Sequence, residues 1–227
     1  MEFLSSRDDL EFEKSTAMRY VCRPADTTAL YDHLLKYDYI PQTPNIDPVI
    51  MDIVLNDIVS RYVPASPLTL IPIDEVVINT SASPGYVYKQ AGYKHKKDAH
   101  VEMIKDAKDA LTDIYSGYTP LTRPYSAAGR SRIQRVDKIA KKGRMVQAQD
   151  GRDFLLTASL GQAYTSFLKN LPDSEIAIGY SHFHMGFSQL WKHIQSDEVW
   201  ALDYVSFDSS QVPELLELAL NVFFRAF

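Results

Sequence analysis

A chain of 227 residues with 45% apolar and 23% charged side chains can bury a substantial core, as one large domain or two small ones. It holds no run of about 18 apolar residues, and its leader carries Arg7, Asp8, Asp9, Glu11, Glu13 and Lys14, which excludes a membrane span or a secretory signal and points to a cytosolic setting. The single cysteine, Cys22, cannot close an internal disulfide and reads as an inert thiol, and the net charge of −5 argues against indiscriminate nucleic-acid binding over the whole surface.

After an acidic, polar leader to about Arg23, Asp26 or Thr27 can cap a helix with Leu30, Leu34, Leu35 and Tyr37 on one face. Asp47-Pro48 is a stronger start signal, placing a cap and a first-turn proline ahead of Ile50, Ile53, Val54, Ile58 and Tyr62 at helical spacing. Three prolines between Val63 and Pro72 make that stretch an irregular connection, with a short strand expected near Val76 to Ile78. A loop from Ser83-Pro84-Gly85-Tyr86 through Tyr93-Lys94-His95-Lys96-Lys97 then leads into a helix from about Asp98 to Tyr115. Ile104, Ala107, Leu111 and Ile114 face inward on it, and Gly117 caps its end.

Beyond Pro120 and Pro124 a basic stretch yields to an apolar helix from about Asp153 to Leu168, closed by Pro172. Glu175 to Tyr180 reads as a weak strand, Gly186 to Gln195 as a short helix, and Val199 to Tyr204 as an apolar strand. Pro213 to Phe227 reads as a helix whose tip, Val222, Phe223, Phe224 and Phe227, is an uncovered apolar patch unless more protein packs on it. No internal repeat or low-complexity tract is present.

Two features carry chemistry. The strand ending at Tyr204 delivers Asp203 at its tip, and a carboxylate at the end of a buried strand is costly unless a cation or donor neutralises it; this suggests a divalent metal. An ordinary cap or ion-pair role for Asp203 is the plainer alternative. The second feature is charge segregation: Arg130, Arg132, Arg135, Lys138, Lys141, Lys142 and Arg144 stand against Asp137 alone, giving +6 locally and leaving −11 elsewhere in a chain of net charge −5. A solvated face is the bland reading of such a run. Its last part, Lys142-Gly143-Arg144-Met145-Val146, alternates as a strand does and puts Lys142 and Arg144 on one side, a pairing suited to a triphosphate.

The order of a basic Lys-x-Arg-x-Val segment, an apolar helix, and Trp-Ala-Leu-Asp-Tyr-Val-Ser-Phe-Asp-Ser-Ser before a further helix resembles motifs F and A of picobirnavirus and partitivirus RNA-dependent RNA polymerases. The Ser83-Pro84-Gly85-Tyr86 loop with Lys94, Lys96 and Lys97 is similar to the fingers of that group. The likeness thus runs from about Ser83 to Phe227, and the first eighty or so residues match nothing nameable. The resemblance implies an α+β, helix-rich partial right-hand polymerase, with an N-terminal extension and fingers over 1–196 and the start of the palm over 197–227. It implies that Asp203 and Asp208 are catalytic: Asp203 as the ligand of Mg²⁺ or Mn²⁺, Asp208 as the acceptor for the ribose 2′-hydroxyl, which favours ribonucleotides. Lys142 and Arg144, with Arg132 and Arg135 behind them, would bind the nucleotide. The implied partners are RNA template and product and nucleoside triphosphates, and the implied location is the host cytoplasm or virion interior.

The Gly-Asp-Asp hairpin and Ser-Gly loop of palm polymerases do not follow Asp208. Asp8-Asp9 and Ser116-Gly117 lie upstream and in the wrong context. The expectation is a fragment, or one part of a divided polymerase, inactive alone and completed by a second chain or a further C-terminal segment. A non-catalytic RNA-binding or assembly module of the same shape is the alternative, and a phosphate-binding enzyme unrelated to polymerases is a third reading. His182, His184 and His193 read as core or surface histidines, and Tyr86, Tyr88 and Tyr93 as packing aromatics with base stacking as the rival role.

Overall fold

The computed structural model describes residues 19–23, 31–32, 34–38, 45–130, 132–135, 144–171, 176, 178 and 211–227. The described residues are helix-rich with two small antiparallel two-stranded sheets, an α+β arrangement, and the chain divides into two compact units. The first draws on 1–39, 80–99 and 121–151, the second on 40–79, 100–120 and 152–227.

The four strands among the described residues belong to the first unit: β1 (Tyr20–Arg23), β2 (Ser126–Arg130), β3 (Arg132–Arg135) and β4 (Arg144–Ala148). β1 pairs with β3 and β2 with β4, so β2 and β3, close in sequence, have different partners. The loop expected around Ser83 to Lys97 contains a short helix, α1 in this unit (Tyr86–Gln90), entered through Gly85 at φ 103°. Tyr88 and Pro84 are buried there. Turns close the loop at both ends: Lys96 N–H donates to the Ala82 carbonyl at 2.8 Å and Lys97 N–H to that of Thr80 at 3.0 Å.

The second unit is helical: α2 (Pro48–Tyr62), α3 (His100–Tyr115), α4 (Gly151–Lys169, whose first residue closes the first unit) and α5 (Pro213–Phe224). The Asp47 carboxylate caps α2 by accepting the Val49 N–H at 2.8 Å, as the Asp47-Pro48 signal implies. The C-terminus of α3 is a Schellman turn. Gly117, at φ 84°, donates to Ile114 and Tyr118 donates to Asp113. The buried face of α3 is the expected one in part: Ala107 is buried, together with Met103 and Ala110, whereas Ile114 is exposed and with Leu111 lines an open apolar recess. Small residues at 107 and 110 allow close approach on that face, which rotates the larger Leu111 and Ile114 to its margin.

No strand forms at Val76 to Ile78. The backbone of Val77 instead bonds a side chain on α4: its N–H donates to Gln162 Oε1 at 3.0 Å and its carbonyl accepts from Gln162 Nε2 at 2.7 Å. One amide side chain thus does for this extended segment what a neighbouring strand would do. α4 holds the rest of the irregular connection similarly. Ser159 Oγ donates to the Ile71 carbonyl at 2.6 Å, and Tyr164 Oη donates to that of Tyr62 at 2.9 Å.

The apolar tip at the end of α5 is partly covered within its own unit. Val222 and Ala226 are buried, Phe223 packs edge-on against Tyr164 at 5.1 Å, and Leu68 N–H donates to the Ala226 carbonyl; Phe224 remains exposed. The expected patch is therefore reduced by the connection around Leu68 folding onto it.

Candidate functional site

The β2–β4 ribbon brings the basic stretch together with itself. In register, Ser126 faces Ala148, Ala127 faces Gln147, Ala128 faces Val146, Gly129 faces Met145 and Arg130 faces Arg144. Positions directly opposed in an antiparallel pair lie on the same face of the sheet, and like charges so opposed are destabilising. In the second sheet Arg23 opposes Arg132, and Arg135 opposes Tyr20. The four strands carry Arg23, Arg130, Arg132, Arg135 and Arg144 and not one aspartate or glutamate. An anion is the natural complement of strands of that composition.

At the other end of the ribbon an ion pair ties the two strands' flanking segments. Arg123 lies three residues before β2, and Asp150 two residues after β4. Arg123 Nη1 meets Asp150 Oδ1 at 3.3 Å, with the carboxylate fully buried and the arginine 21% exposed. Asp150 Oδ2 accepts the Val87 N–H at 3.1 Å, the Gly151 N–H donates to the Pro84 carbonyl at 2.8 Å, and the Arg123 guanidinium lies 5.3 Å from the centre of the Tyr88 ring. The Pro84-Gly85 turn is thereby fastened to the end of β4, and the ribbon is anchored at its Ser126–Ala148 end. About 14 Å of strand separates that anchored end from the opposed arginines.

Of the residues that sequence reasoning nominated, the backbone of Arg132, Arg135 and Arg144 lies in these strands, and β4 begins at Arg144 as the alternation implies. Lys142, Asp203 and Asp208 lie outside the described residues, as do His182, His184, His193 and the segments Gly186 to Gln195 and Val199 to Tyr204. Among the described residues no group of three or more His, Cys, Asp or Glu is placed to hold a metal ion, and no helix is long and apolar enough to cross a membrane.

The lysines of the 83–97 loop do not act alike. Lys94 and Lys97 are exposed, while Lys96 is buried and desolvation pulls its ammonium below the usual lysine range. Tyr88, beneath Arg123, is a packing residue rather than a base-stacking platform; Tyr86 is exposed. Sequence reasoning missed Arg123, Asp150 and the pairing of Arg23 with Arg132. Neither the Arg123–Asp150 contact nor the β1–β3 pairing has a local signal, because each joins segments far apart in the chain.

A family model described as viral RNA-dependent RNA polymerase matches residues 11–226. No curated protein matches the chain.

Proposed function

The chain belongs to the viral RNA-dependent RNA polymerases, and from that premise we propose that it performs the nucleotide-holding part of RNA-templated ribonucleotidyl transfer, with β4 lining the nucleotide channel. The observation that carries this reading is the register of Arg130 opposite Arg144 within strands free of carboxylates. Lys142 and Arg144 hold the triphosphate, and Arg132 and Arg135 extend the positive lining. Asp208 accepts a hydrogen bond from the ribose 2′-hydroxyl. Asp203 holds a divalent cation, Mg²⁺ or Mn²⁺, which when bound neutralises charge on the reacting phosphate. Residues 1–196 form an N-terminal extension and fingers of picobirnavirus and partitivirus type, and 197–227 the start of the palm.

Transfer by two metals needs another palm carboxylate beside Asp203, and we propose that a polypeptide bearing the Gly-Asp-Asp hairpin supplies it. The test is primer extension on an RNA template with ribonucleoside triphosphates and Mg²⁺ or Mn²⁺, with and without a polypeptide bearing the Gly-Asp-Asp hairpin. Synthesis is expected only with both present, and Asp203→Ala abolishes it. Synthesis surviving Asp203→Ala would overturn the metal assignment. RNA binding with no synthesis under any pairing would favour the non-catalytic RNA-binding or assembly module.

A further inference from the structure

We infer that the outward face of α2 is a self-association surface, on which two copies of this chain pair α2 against α2 across a two-fold axis. The inference stands apart from the polymerase reading, since it uses no residue of the basic strands or of the segment carrying Asp203.

α2 is apolar on both of its sides. Met51, Leu55, Val59 and Tyr62, at helical spacing, are half-buried on the inner side; α2 lies against α5, and the Tyr62 carbonyl accepts from Tyr164 on α4. On the other side Val49, Ile50, Ile53, Val54 and Ile58 are 36% to 65% exposed, and no residue of α2 is fully buried. A helix that is apolar all round is built for contacts all round. One side is met within the second unit, and the other faces outward among the described residues.

Two features fit that outward face to a duplicate of itself. The first is charge. In a two-fold contact each surface meets its own copy, so a net charge on it would repel. The ionic side chains that follow Val54 on this face are Asp57 and Arg61, which pair with each other at 3.0 Å and leave the face neutral. A nucleic acid or a strongly charged protein finds no complement there. The second feature is size. The five aliphatic side chains and their polar margin present roughly 500 Å² on each copy, so pairing removes on the order of 1,000 Å² from water, enough for a specific interface. Ile50 and Ile53, on successive turns at the middle of the stripe, lie nearest the axis, where side chains of paired helices interdigitate.

The experiment uses the whole chain. Sedimentation equilibrium over a concentration series is run on the parent, on Ile53→Glu and Ile53→Ser, and on Val101→Glu, which puts the same charge at an apolar position of α3 that is 76% exposed. The parent is also run with the Gly-Asp-Asp polypeptide, and thermal melting is recorded for each variant. The parent is expected to pass from monomer to dimer as concentration rises. Ile53→Glu sets two carboxylates against each other and should raise the dissociation constant at least about tenfold. Ile53→Ser, which only removes apolar area, should raise it less, and Val101→Glu should leave it at the parent value. Ile53 is mostly exposed in the single chain, so these changes should spare its folding; if Ile53→Glu does not fold, Ile53→Ser decides. A parent that stays monomeric at every concentration, a dimer indifferent to both changes at Ile53, or an equal loss in Val101→Glu would overturn the inference. So would a monomeric parent that binds the Gly-Asp-Asp polypeptide only with Ile53 intact, which would assign the face to that partner instead.

Discussion

Gly85 and Asp150, 65 positions apart in the chain, meet so closely that a Cβ built on Gly85 would lie 2.5 Å from the Asp150 Cα and 2.6 Å from its Oδ2. At φ 103° the backbone of Gly85 also adopts a conformation that side chains disfavour. The glycine is therefore required twice over, for the turn and for the approach of the segment that follows β4.

Gly85→Ala is accordingly expected to destabilise the protein by about 2 kcal/mol or more, through backbone strain and the clash with Asp150 together. Urea denaturation of the two proteins measures this. Gly92 also has a positive φ, at 95°, but a Cβ there meets nothing within 4 Å, so Gly92→Ala should cost less.

Removing the Asp150 carboxylate takes a carboxylate at 3.3 Å from the largely buried Arg123 and an acceptor from the Val87 N–H. Asp150→Ala should cost about 3 kcal/mol or more. The double variant Arg123→Met/Asp150→Ala should recover part of that loss. A double-mutant cycle of unfolding free energies gives the coupling, and strictly additive losses would show that the pair does not anchor the ribbon.

Gln162 serves Val77 with both halves of its amide. Gln162→Glu keeps an acceptor for the Val77 N–H and removes the donor to its carbonyl, at an expected cost of about 1 kcal/mol. The same denaturation measurement checks it, and Gln162→Leu, which removes both bonds, should cost more.

Tyr164 has its phenol raised above the usual tyrosine value by burial first and by its neighbour Tyr62 second. A raised folded value means that the folded state holds this proton more tightly. The resulting stability is complete below the unfolded value of 10.0 and is lost as pH rises through the folded value. Tyr164→Phe should lose about 0.5–1.5 kcal/mol at neutral pH with its bond to Tyr62. It should also show a shallower loss of stability above pH 10 than the parent, read from melting temperatures across pH.

Local chemistry announced much of the fold. A side-chain cap with a first-turn proline at Asp47-Pro48, a glycine at 117 and a proline at 213 are signals contained within a few residues, and each marks a helix end in the structure. The strand at Arg144 was equally legible from alternation. What sequence reasoning misplaced depended on distant partners. Val76 to Ile78 looked like a strand because it is apolar, yet its backbone bonds Gln162, 85 positions later. The α3 stripe was right at Ala107 but shifted around it, with Met103 and Ala110 buried and Ile114 exposed. The opposed arginines were visible as a charge run, but not as pairs, since register between separated strands has no local signature. Arg23 in particular lay in a leader that gave no hint of a partner at Arg132.

The central claim is that Arg144 and Lys142 hold the triphosphate of an incoming ribonucleotide. Its most direct test is titration of Mn²⁺-bound GTP into the parent chain and into Lys142→Ala, Arg144→Ala and Lys192→Ala, each at low and raised salt. Weakened binding at Lys142 and Arg144, with Lys192→Ala near the parent, is the predicted result; equal losses at all three positions would contradict it.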